Sequence, residues 1–129
     1  MHGIVDMHCH ILPGVDDGAR TEKMAVEMIR AEKSQGVNHI ILTPHYRVGL
    51  FETEQSVIRQ KFERLLEVNE KMKTGVSLHL GCEMYRDSNM AELLMRGVKP
   101  TLAGSGYVLV EFSHRDDYSK IRKTVYDLS

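Results

Sequence analysis

Apolar and polar residues alternate over 4–10 (IVDMHCH), the period of a strand, which sets His8 and His10 on one face and turns Cys9 to the other. Pro13, Gly14, Asp16, Asp17 and Gly18 then make a loop. From Thr21, an expected N-cap, the spacing becomes helical, with Met24, Ala25, Met28, Ile29 and Ala31 recurring until Gly36. The β-branched run 37–43 (VNHIILT) predicts a second strand, closed by Pro44 and His45. An amphipathic helix is expected over 53–73, with Val57, Ile58, Phe62, Leu65, Leu66 and Met72 on its apolar side and Gly75 at its end. Residues 76–82 (VSLHLGC) form a third strand that runs out at Glu83. Ser88 then caps a short helix holding Met90, Leu93, Leu94 and Met95, stopped by Gly97. Residues 107–112 (YVLVEF) make a fourth strand, and a last helix begins at Tyr118. Strands alternating with helices predict right-handed β/α units on a largely parallel sheet, an α/β fold in one domain over 1–129.

The chain of 129 residues is 42% hydrophobic and 27% charged, an ordinary globular profile. Its 17 Lys and Arg against 18 Asp and Glu leave a formal charge of -1. No basic field attracts nucleic acid, and an anionic substrate must be gripped locally. No run approaches the ~20 apolar residues that span a bilayer, and no secretory pattern opens the chain, so the cytoplasm is the default location. Cys9 and Cys82, without a C-x-x-C pair, are expected as free thiols. A β/α barrel typically needs ~250 residues, so this length suits about half of one. The last strand of such a half would keep an unpaired edge, and the expected outcome is a homo-oligomer.

The chemically loaded residues cluster at the ends of the predicted strands. Asp6, His8 and His10 end the first, with Asp16 and Asp17 in the loop beyond it; His45 closes the second, Glu83 the third, and Glu111 lies near the close of the fourth. Carboxyl ends of parallel strands converge on one face, where ligands bind. Taken singly, a His-x-His pair reads as a surface strand and Asp-Asp-Gly as a turn. Glu83 and Glu111 are harder to dismiss, because each interrupts an apolar run. His2, His39 and His79 are read as structural or surface residues, His114 as outside the site, and the methionines as core filling. Two carboxylates at ~4 Å repel by roughly 4 kcal/mol at an effective dielectric of ~20, so a shared pocket needs protons, cationic side chains or divalent ions. Imidazole mixed with carboxylate and no thiolate set suits Mn, Fe or Zn and metal-assisted hydrolysis. A cysteine phosphatase loop would need arginine where Ser88 follows Cys82 and Val15 follows Cys9. There is no G-x-G-x-x-G and no P-loop.

Together D-M-H-C-H-I-L-P-G-V-D-D-G (6–18), T-P-H-Y-R (43–47), G-C-E-M-Y (81–85) and V-L-V-E-F (108–112) resemble the polymerase-and-histidinol-phosphatase (PHP) superfamily. Within it they resemble the bacterial capsular-polysaccharide tyrosine phosphatases of the CpsB/CapC kind. The resemblance implies a distorted seven-stranded β/α barrel, of which this chain would be the first half, with up to three divalent ions, usually Mn²⁺. It implies that His8 and His10 bind the first ion, that Glu83 bridges the first and second, that Glu111 binds the second, and that Asp17 and His45 bind the third. Asp6 would support them. The implied activity is hydrolysis of phosphotyrosine on the autokinase that controls capsule or exopolysaccharide assembly, with Glu83 and Glu111 as catalytic groups; Arg47, just beyond His45, is added to them as the candidate phosphate contact on charge and placement alone. Further ligands implied by the later half of family members, in an A-H-x-E-R stretch and a D-x-H pair beyond the one at 6–8, have no counterpart in this sequence. A histidinol-phosphatase-like enzyme for small phosphoesters, or a non-catalytic metal-binding fragment, are the competing expectations.

Overall fold

In this computed structural model, which describes residues 3–129, the alternation at the start folds as strand β1 (Ile4–Cys9). The Thr21 hydroxyl accepts the Met24 N–H and starts helix α1 (Glu22–Ser34), whose Ala25, Val26 and Ile29 are buried. Gly36 then turns the chain, at φ 95, into β2 (Val37–Leu42). Helix α2 (Gln55–Lys71) leads to β4 (Ser77–Leu80). The apolar side of α2 is narrower than its pattern implies: Leu66 and Met72 are exposed, while Asn69 is buried. The Asn69 amide donates to the Val76 carbonyl at 2.8 Å and Thr74 donates back to Asn69, so a polar side chain fastens the helix end to the next strand.

Among the described residues the four predicted strands appear as six, in two three-stranded parallel sheets, one ordered β1-β2-β4 and the other β3 (His45–Tyr46), β5 (Glu83–Tyr85), β6 (Leu109–Glu111). His45 does not close the second strand; it opens a separate strand, β3 (His45–Tyr46). Glu83 likewise opens β5 (Glu83–Tyr85), and the fourth predicted strand shortens to β6 (Leu109–Glu111). The break after β2 follows from Pro44, which has no N–H for the ladder, and from Thr43, whose N–H and hydroxyl both donate to the Cys9 carbonyl. The Gly81 N–H to the Leu42 carbonyl at 2.8 Å and the Glu83 N–H to the Pro44 carbonyl at 3.0 Å carry the pairing across the break. A Cβ at Gly81 would lie 2.8 Å from a methyl of the Leu102 side chain and 3.1 Å from one of Ile41, so a larger residue enters this bend only if those methyls shift.

The main core lies where α1 and α2 cover β1, β2 and β4, built from Ile11, Leu12, Ile29, Ile40, Leu42, Leu65 and Leu78 among others. A smaller cluster of Cys82, Met84 and Met90 backs the second sheet. Helix α3 (Met90–Met95) is not capped by Ser88: Asp87 accepts the N–H of Asn89 instead and makes the turn into the helix. A 3-10 turn (Leu102–Gly104) precedes β6, and Asp117 caps α4 (Tyr118–Leu128) by accepting the Lys120 N–H.

Candidate metal centre

His8 and His10 leave β1 on the face opposite Cys9, which is buried in the core. In the second sheet His45 pairs with Glu83 and Tyr85 with Glu111, so strand pleating puts all four on one face. Pairing of β1 with β2 and of β3 with β5 brings these side chains together. His8 Nε2 lies 3.0 Å, and His10 Nε2 2.9 Å, from the same Glu83 carboxylate oxygen. The two histidine nitrogens are 3.3 Å apart. His45 Nδ1 is 3.4 Å from Glu83 and 3.6 Å from Glu111, and its Nε2 is 3.5 Å from Asp17. Three groups each gather potential ligand atoms within 4.8 Å of one another: His8, His10 and Glu83; His10, Asp17 and His45; His45, Glu83 and Glu111. All six residues expected as ligands from the sequence therefore converge.

Asp16, which the sequence places in the loop beside the cluster without a role of its own, organises it. Its carboxylate accepts His10 Nδ1–H at 3.0 Å, the His45 backbone N–H at 3.0 Å and the Gly18 N–H at 2.9 Å. Burial pushes the Asp16 carboxyl up, but these donors outweigh it and hold the carboxyl below the usual range. The same hydrogen bond raises His10 above the ordinary histidine value. With Nδ1–H committed to Asp16, a neutral His10 turns the lone pair of Nε2 toward Glu83 and His8. A lone pair facing a carboxylate oxygen at 2.9 Å requires a proton or a cation between them. A cation with bonds of about 2.1 Å sets neighbouring ligands about 3.0 Å apart at right angles and about 3.4 Å apart in a tetrahedron. The spacings among His8, His10 and Glu83 match that requirement, and the donor set fits a divalent ion.

Asp6 lies within β1, where its carboxylate accepts the His8 N–H at 3.0 Å. Arg47 follows β3 and rests its guanidinium 4.0 Å from the centre of the Tyr85 ring, with no ion pair among the described residues. Phe51 stacks on His45 at 5.1 Å. Neither Tyr85 nor Phe51 stood out in the sequence; Tyr85 was recoverable as the residue two after Glu83 on a strand. His39 and His79 stack on each other inside the first sheet, away from the cluster, and His114 is exposed. His2 lies outside the described residues. Cys9 and Cys82 are free and buried, and burial pushes both thiols up to about 12, which leaves no thiolate nucleophile near neutral pH. A cleft of about 360 Å³ between Pro13, Thr21 and Lys61 holds none of these ligands; convergence of donors, and not concavity, marks the site.

Residues 4–129 match the sequence profile of a family described as capsular polysaccharide synthesis, CpsB/CapC. The chain belongs to this family. Among relatives of the CpsB/CapC chain, the tyrosine-protein phosphatase CpsB of Streptococcus pneumoniae is 32% identical over 118 residues, covering 92% of this chain and 49% of that protein. The tyrosine-protein phosphatase YwqE of Bacillus subtilis is 33% identical over 130 residues, covering 97% and 49%. The fold also matches, with a TM-score of 0.88, 30% identity and 97% of this chain covered, a crystal structure from a study of YwqE and CpsB described as unique metal-dependent tyrosine phosphatases; 51% of that chain is covered. The chain thus spans about half the length of the curated relatives it matches.

Proposed function

We propose that this chain contributes the histidine-rich part of the metal centre of a protein-tyrosine phosphatase, on a β/α barrel of the PHP type. The observation that carries the reading is the convergence of His8, His10, His45, Asp17, Glu83 and Glu111 into three groups of potential ligand atoms, from the end of β1, the loop after it and the strands β3, β5 and β6. Family membership and the names of the relatives support the same activity. Imidazole mixed with carboxylate and without thiolate suits manganese, iron or zinc; the family resemblance selects manganese among them, with magnesium as a further competitor. His8 and His10 would hold a first ion, Glu83 would be shared between a first and a second, Glu111 would hold the second, and Asp17 and His45 a third. Divalent ions, when bound there, lower the pKa of a water and neutralise charge on transferring phosphoryl oxygens. Asp16 keeps His10 in one tautomer with Nε2 presented inward. Arg47, without an ion pair among the described residues, is the candidate cation for a phosphate oxygen. The substrate in this reading is a phosphotyrosine protein, the autokinase of capsule or exopolysaccharide assembly, reached in the cytoplasm, where two unpaired buried thiols are at home.

The test is phosphate release from a phosphotyrosine peptide with Mn²⁺ and after chelation, with histidinol phosphate as the competing substrate. Metal-dependent turnover of the peptide in preference to histidinol phosphate is expected. Preference for histidinol phosphate would replace this reading with the small-molecule one. Turnover unaffected by chelation would end the metal reading.

A further inference from the structure

His45 stands between two sets of donors. Its Nε2 faces Asp17 in the group with His10, and its Nδ1 faces Glu83 and Glu111. A neutral imidazole has one lone pair and one N–H. Whichever nitrogen serves a cation, the other points its proton at carboxylate of the opposite group, Asp17 on the Nε2 side or Glu83 and Glu111 on the Nδ1 side. Both nitrogens must therefore stay in line at once, which fixes the ring plane. The torsion that turns that plane is soft and roughly two-fold, and no polar atom of the ring remains to hold it. Only the ring faces are left for control. The His45 ring is stacked on His10 at 4.3 Å and 20° and on Phe51 at 5.1 Å and 13°.

Phe51 is delivered there by a tight hairpin. The Arg47 N–H donates to the Phe51 carbonyl at 2.9 Å and the Phe51 N–H donates to the Arg47 carbonyl at 2.8 Å, an antiparallel bridge directly beyond β3. Gly49, at φ 82, makes the reversal possible, and its N–H donates to the Glu52 carboxylate at 3.1 Å. The loop returns Phe51 beside the strand that carries His45. Its ring has no polar atom and contributes shape alone.

We propose that Phe51 is a positioning residue for His45: stacked on the imidazole at the end of the 47–51 hairpin, it holds the ring plane in which the two nitrogens serve the Asp17 group and the Glu83–Glu111 group. This rests on the metal-centre reading above. The test is titration of the chain with Mn²⁺ alone by calorimetry, together with histidine side-chain nitrogen spectra of the metal-free protein. Phe51→Leu removes the flat face; Phe51→Tyr keeps it. Phe51→Leu is expected to weaken ion binding at the sites that share His45 by about tenfold, to leave the His8–His10–Glu83 site unchanged, and to broaden the His45 ring signals. Phe51→Tyr should restore both readouts. Gly49→Ala adds a Cβ with nothing within 4 Å and strains only the turn, so it tests the same idea with Phe51 present, and should give the same loss in milder form. Unchanged Mn²⁺ affinities and His45 signals in Phe51→Leu, or in Gly49→Ala should Phe51→Leu fail to fold, would overturn the inference and leave the metal centre standing. Failure of the unaltered chain to bind Mn²⁺ would overturn both.

Discussion

Among single residues, Glu83 and Asp17 occupy opposite ends of the cluster. The Glu83 side chain is 8% exposed and touches His8, His10 and His45. Asp17 is 68% exposed, lies 3.5 Å from His45 and is grouped with His10 within 4.8 Å. Glu83→Gln keeps the volume but removes the charge that three imidazoles share, whereas Asp17→Asn removes a charge that water already screens. Elemental analysis should show a larger loss of bound metal in Glu83→Gln than in Asp17→Asn; full retention in Glu83→Gln would remove Glu83 from its shared position. The cysteines give a second prediction at this scale. Their buried thiols, raised to about 12, should resist iodoacetamide at neutral pH in the folded protein, as read by mass spectrometry, with turnover intact. Alkylation of Cys82 that abolished turnover at full metal content would restore thiol chemistry as the rival. The exclusion of a cysteine phosphatase loop is legible in the sequence from the absence of arginine after each cysteine, whereas the shared place of Glu83 is implied there only by the family resemblance.

At the level of elements, the loop 10–19 is the most constrained part of the site. The Gly14 N–H donates to the Ala19 carbonyl and the Ala19 N–H to the His10 carbonyl, which closes the loop on itself around Asp16. Gly18 is indispensable for a reason other than backbone freedom: a Cβ there would lie 2.0 Å from the His10 carbonyl oxygen and 2.5 Å from the His10 Cβ. Gly18→Ala should therefore displace His10, lower stability by about 1–3 kcal/mol in a urea titration, and weaken metal binding in step. Stability and metal binding equal to wild type would show that the loop relaxes freely. The sequence marked this stretch as a turn and stopped there. The contact between Gly18 and His10 crosses the loop, and the support of two histidine-bearing strands by Asp16 crosses between elements, so neither has a local signature. The helix α2 shows the same limit: its apolar pattern missed Asn69, which is inside because it satisfies the Val76 carbonyl.

Across the whole molecule, the outer strand of the first sheet is the exposed feature. Among the described residues β1 pairs only with β2, and Ile4 at 56% and Met7 at 59% remain exposed along it. An apolar edge strand with free backbone groups is a template for another chain. The expected result in sedimentation is a dimer or larger species, shifted toward monomer by Met7→Lys. A monomer across the concentration range, unaltered by that substitution, would show that this edge is harmless.

The sequence by itself determined the alternation of strands with helices, the face on which His8 and His10 lie, and the nearness of His45, Glu83 and Glu111 to strand boundaries, though His45 and Glu83 open strands instead of closing them. Each follows from periodicity, turn chemistry or residue type, which act over a few neighbouring positions. Tertiary structure alone decided that Pro44 and Gly81 split the strands into two sheets, that Asp16 orients His10, and that Phe51 lies flat on His45. Those outcomes depend on which atoms meet after the chain has closed over itself: a missing N–H in one strand matters only beside its partner, and a ring can be clamped only once another ring arrives at its face.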